Sequence, residues 1–165
     1  MSVVDTELKL YASANMPNSD SGTNGGAIDA GTEITGTLDE VFIDSYSKET
    51  GDGNRIVYRK VFFKNTNGVT TLTEVKIWMS ADEHDYLTFD LDDAVDGTTT
   101  STNRITAPAT RTFAEHNTEE TAHAAPGGAL AAGEAIGIWL KLTIPAGESP
   151  DVSITATLKI KGITT

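Results

Sequence analysis

The feature that most constrains this chain is a strict two-residue alternation in its C-terminal third. Residues 135–144 read AIGIWLKLTI, with Ile136, Ile138, Leu140, Leu142 and Ile144 at every second place and Gly137, Trp139, Lys141 and Thr143 between them. Residues 151–161 repeat the device, with Val152, Ile154, Ala156, Leu158 and Ile160 on one side and Ser153, Thr155, Thr157, Lys159 and Lys161 on the other. Successive side chains of a strand point to opposite faces, so each segment predicts a long strand with one buried face. The connector PAGESP at 145–150 is turn chemistry, because proline ends ladder pairing and glycine admits positive φ. Together the two segments predict an antiparallel hairpin.

The same period recurs upstream. Residues 73–79 place Val75, Ile77 and Met79 on one face, and residues 86–92 place Leu87, Phe89 and Leu91 inward. Residues 55–64, RIVYRKVFFK, are apolar on both faces, as in a strand covered on two sides or one carrying a bulge. The NTNG at 65–68 turns the chain toward the next strand. Residues 7–11 and 38–43 are further strand candidates, with weaker ones at 104–107 and 111–115. No window carries the i, i+3, i+4, i+7 pattern of a helix, and the helix-tolerant stretch 118–123 soon meets Pro126-Gly127-Gly128. About six to nine short strands separated by turns predict an all-β chain, a single antiparallel immunoglobulin-like β-sandwich over residues 1–165, with a jelly roll as the alternative.

Two stretches do not fit such a body. Residues 12–36 and 93–133 are rich in turn-formers, alanine, threonine and glycine, and are expected as extended loops or arms. Arms on a small domain predict a chain that orders by reaching over a neighbour. On that reading, removing residues 12–36 abolishes binding and leaves the domain folded.

Charge narrows the partners. Asp and Glu number 24 against 12 Lys and Arg, a net charge of −12, which repels phosphate backbones and anionic lipid and argues strongly against nucleic-acid and membrane-surface roles. No apolar run approaches ~18 residues, and the N-terminal MSVVDTELKL lacks the basic start and apolar centre of a signal peptide. The chain has no cysteine, which removes disulfides, thiolate metal sites and cysteine nucleophiles together.

Reactive constellations are weak. His84, His116 and His123 sit among acidic residues in polar loops, but the spacing of His116 and His123 suits neither a helical pair nor a compact finger. The acidic turns at 49–54 and 90–93 miss the calcium-loop pattern, and no nucleophile elbow or phosphate-cradling loop is present. No catalytic residue, metal or cofactor is assigned, and an enzyme is the least favoured class. Trp78 and Trp139 instead stand opposite the buried faces of their strands, as candidate protein contacts, unless an arm or cross-strand neighbours cover them. Met16 and Pro17, in the first arm, are the other candidate contacts.

In order along the chain, TELKLY (6–11), GGAI (25–28), TEIT (32–35), YRKVFFKNTNG (58–68), TLTEVKIWMS (71–80) and GIWLKLTIPAG (137–147) resemble the virion structural proteins of tailed bacteriophages, of the capsid decoration or cement type. The resemblance implies a non-catalytic protein on the capsid exterior, made in the host cytoplasm. It would bind the major capsid protein and neighbouring copies of itself, as a trimer or dimer, and stabilise the shell. A tail, neck or baseplate component is the alternative, and a carbohydrate-binding module that stacks sugars on Trp78 and Trp139 is a third reading.

Overall fold

The computed structural model describes residues 2–35, 41–42, 51–80, 85–148 and 156–164. Its elements are antiparallel strands, joined by turns and short 3-10 segments such as Asp5–Glu7 and Pro126–Gly128. The strands are β1 (Leu8–Asn15), β2 (Asn24–Glu33), β3 (Arg55–Asn65), β4 (Leu72–Met79), β5 (Leu87–Val95), β6 (Thr100–Ser101), β7 (His123–Ala124), β8 (Ala129–Leu130), β9 (Ala135–Ile144) and β10 (Leu158–Thr164). Six form one sheet in the order β5-β9-β3-β1-β2-β6. The smaller sheet runs β10-β4-β7, with β8 also paired to β4.

One core lies between the layers. Val61, Phe63, Phe89, Leu91, Ile136, Ile138 and Leu140 of the larger sheet meet Leu72, Val75, Ile77, Met79 and Leu130 of the smaller one, all buried. The alternating apolar residues of β9 therefore face inward, as their period predicts. β9 lies between β3 and β5: β3 pairs with it from Arg55↔Ile144 to Lys64↔Ala135, and β5 pairs along its other edge.

The predicted hairpin does not form. β10 belongs to the smaller sheet and pairs with β4, Leu158 opposite Met79 and Lys161 opposite Lys76. Alternation specifies which side chains face a core, and both sheets face the same core; it does not specify which strand supplies the ladder. The expected strand residues 151–155 lie outside the described residues, as do His84 and residues 38–40 and 43 of the 38–43 candidate. Val41 and Phe42 of that candidate form a turn whose side chains join the core.

The two expected arms fold back onto their own body. Residues 12–15 complete β1, and β2 returns antiparallel beside it, with register shifts on both sides of the Ser13↔Ile28 pair. Glycine makes the return possible: Gly25 and Gly26 both have φ of +93°, a conformation that a residue with a Cβ rarely adopts. The second segment begins as the end of β5, supplies β6, β7 and β8, and is tied down along its length. Gly26 N donates to Thr99 O, Tyr58 N to Arg104 O, Met79 N to His116 O and Ala125 N to Val75 O. The weak strand expected at 104–107 is a turn and bend, and 111–115 contributes a single bridge, Ala114 to Phe89.

The NTNG turn is a structural knot. Asn65 Nδ2 donates to the carbonyls of Thr70, Leu130 and Ala131, and Asn67 Oδ1 accepts from the Val69 and Thr70 amides. Asn67 Nδ2 lies 3.0 Å from both carboxylate oxygens of Glu7. These bonds join three chain segments distant in sequence, so this motif belongs to the scaffold.

Candidate functional site

On the side of the larger sheet away from the core, Lys60 of β3 stands opposite Trp139 of β9, and Phe62 stands opposite Gly137. Trp139 is 0% exposed, so it is not a surface contact. Its indole Nε1 donates to Asp92 Oδ1 at 3.2 Å and Thr99 Oγ1 at 2.9 Å, and Thr99 in turn donates to Asp92. A Cβ on Gly25 would sit 2.6 Å from the ring, so β2 closes over the indole only because glycine occupies that place. The folded-back segments cover the tryptophan that alternation alone leaves facing solvent.

A buried ion pair completes this layer. Lys60 Nζ lies 2.6 Å from Asp92 Oδ2, with both side chains 0% exposed. The ammonium also lies within hydrogen-bond distance of the carbonyls of Gly26 (2.9 Å), Gly97 (2.8 Å) and Thr99 (3.2 Å), which pins both returning segments at once. Burial pulls the Lys60 pKa below the usual lysine range, against the opposing influence of Asp92. The arrangement is a lock, with the Lys60, Thr99 and Trp139 donors all committed to groups within the protein itself.

Met16 and Pro17 lie in a second locked region. Met16 is half-buried against the core. The Pro17 carbonyl accepts from Arg59 Nη2 at 2.6 Å, and Arg59 Nε donates to Val41 O at 2.7 Å. Arg59 is 1% exposed, and burial draws its pKa down to about 10. In the same loop Asp20 Oδ1 accepts from Arg55 at 2.6 Å and Arg104 at 2.8 Å, and these bonds hold its carboxyl below the usual range.

His116 and His123 gather beside the edge of β5. His116 and His123 rings lie 5.1 Å apart, and His123 Nε2 is 3.0 Å from Asp90 Oδ1. Among the described residues no three His, Asp or Glu side chains converge as metal ligands. A neighbouring recess lined by Met79, Leu87, Glu115 and His116 has room for about one water, far below the ~300 Å³ of a small-molecule site.

The outer face of the smaller sheet is different. Trp78 stands directly opposite Lys159, and Lys76 directly opposite Lys161, all four on the side away from the core. Trp78 is half-buried, and the three lysines are exposed. Lys161 Nζ bonds Glu119 Oε1, and that bond, with Lys76 nearby, keeps the Glu119 carboxyl below its ordinary pKa. The other described basic residues are buried (Arg55, Arg59, Lys60, Arg104) or half-buried (Lys9, Lys64, Arg111, Lys141). Sequence alternation put Lys159 and Lys161 on an outward face. Pairing their strand with β9 rather than β4 hid that they share a surface with Lys76 and Trp78.

Comparisons with family models, with curated proteins and with solved structures find no match to this chain. Among the described residues no helix is long and apolar enough to cross a membrane. Fold and surface together define an all-β two-layer arrangement in which, among the described residues, the exposed lysines gather around Trp78 on the outer face of the smaller sheet.

Proposed function

We propose that this protein is a non-catalytic virion structural protein of the capsid decoration type, built on an immunoglobulin-like sandwich. In this reading it sits on the capsid exterior, bound to the major capsid protein and to neighbouring copies of itself. The observation that carries the attachment is the face around Trp78, where an aromatic ring and three exposed lysines stand on a paired, rigid sheet. The framework motifs of residues 58–68 and 137–147 supply the family resemblance. The attachment works through this preformed surface rather than through arms, because residues 12–35 and 93–133 are committed to the domain itself. A rigid surface loses little conformational entropy on binding, and repetition over a lattice multiplies a weak contact.

The test is a particle reconstruction combined with immunogold labelling. Density on the capsid exterior, and lower particle heat stability when the protein is missing, are the expected results. Density at the tail or neck assigns the protein to another virion part, and absence from particles overturns the reading. The carbohydrate reading loses one of its two stacking rings, since Trp139 is enclosed.

A further inference from the structure

We infer that the Trp78 face of the smaller sheet docks an acidic protein surface, with Lys76, Lys159 and Lys161 as the charge contacts and Trp78 as the central anchor. The inference rests on the reading of this face as the attachment surface and adds the chemistry of the partner.

Three observations carry it. First, the exposed lysines are concentrated: all three described basic side chains in the exposed class stand on two neighbouring strands of one sheet. In a chain of net charge −12 this is where an acidic partner meets attraction, while the acidic remainder repels it in other orientations. Second, Lys76 and Lys161 are directly opposite each other. Like charges at that position oppose sheet formation, and the Glu119 carboxylate bonded to Lys161 offsets part of the repulsion. An incoming carboxylate between them adds to that offset. Third, Trp78 is half-buried beside Lys159, which gives a rigid aromatic surface within the charged patch.

The same features favour protein over nucleic acid. Three phosphate contacts release few counterions, and the −12 field acts against a long polyanion. The patch also has no exposed arginine to grip phosphate in bidentate fashion.

The experiment uses the full chain, with fluorescent poly-L-glutamate as the probe and single-stranded poly(dT) as the competitor, in about 0.1 M salt so that long-range repulsion is screened. Anisotropy is expected to report poly-L-glutamate binding that weakens by about tenfold or more in K76E/K159E/K161E and in the milder K76Q/K159Q/K161Q. The variant K141E, on the other sheet, is expected to bind as the parent does. Circular dichroism establishes that each variant is folded. Equal binding by parent and both triple variants, or no binding by the parent, overturns the inference. So does binding of poly(dT) as tight as that of poly-L-glutamate, which points to nucleic acid instead. Loss of the protein from particles overturns the decoration reading and leaves this measurement standing.

Discussion

Lys60 and Asp92 form a fully buried ion pair, Nζ to Oδ2 at 2.6 Å, although β9 runs between their two strands. They meet over Gly137, where a Cβ would sit 2.7 Å from both Asp92 Oδ2 and Lys60 Cε. The missing side chain on β9 lets two charges from flanking strands touch. The contact then anchors Gly26, Gly97 and Thr99 of the covering segments.

Breaking this pair from one side leaves a buried charge uncompensated. K60M and D92L are each expected to destabilise the domain by about 3–5 kcal/mol, and the double variant by much less than their sum. Urea denaturation of the four proteins measures the coupling. Simple additivity would mean that the two groups do not stabilise one another.

The glycine has its own signature. G137A is expected to cost about 1–3 kcal/mol by forcing the ion pair apart, whereas G68A, where an added Cβ meets nothing within 4 Å, is expected to be near neutral. Thermal melts of the two variants decide it, and an unchanged melting temperature for G137A rules out the crossing over β9.

Acid should loosen the loop held by Asp20. Its folded carboxyl is below the ordinary value, chiefly through the hydrogen bond from Arg55 and then that from Arg104. A depressed carboxylate stabilises the folded state above its unfolded pKa of about 3.9 and loses that contribution as pH falls through the folded value. D20N is therefore expected to cost about 1–2 kcal/mol at pH 7, discounted because Asp20 is partly exposed, and progressively less below pH ~4. A difference from the parent that stays constant between pH 7 and pH 3 would contradict the assignment.

The two tryptophans should separate in a quenching experiment. W78F retains only enclosed Trp139, and acrylamide is expected to quench its emission weakly, while the parent shows an accessible fraction from half-buried Trp78. Strong quenching in W78F would show that the cover over Trp139 opens readily.

Removal of residues 12–36 gives the opposite outcome from an arm. The deletion takes away the end of β1 and all of β2, strips Gly25 from the Trp139 ring and removes a carbonyl partner of Lys60. The truncated chain is expected to lack a cooperative thermal transition. A folded truncate would show that β2 is dispensable.

Local pattern alone placed four of the long strands, since a period of two and a dense apolar run are readable over a few residues. β3, β4, β5 and β9 stand where alternation placed them, each within a few residues at either end. Charge balance and the lack of cysteine were likewise plain in the composition. Only the tertiary structure decided that β10 joins β4, that Trp139 is covered, and that three lysines share one face. The reason is physical: ladder partners and covers come from residues far away in the chain. A polar stretch such as 96–99 looks like a solvated loop until its carbonyls meet a buried ammonium. Alternation records which side of a strand is inside, and non-local hydrogen bonds and ion pairs decide what lies against the other side.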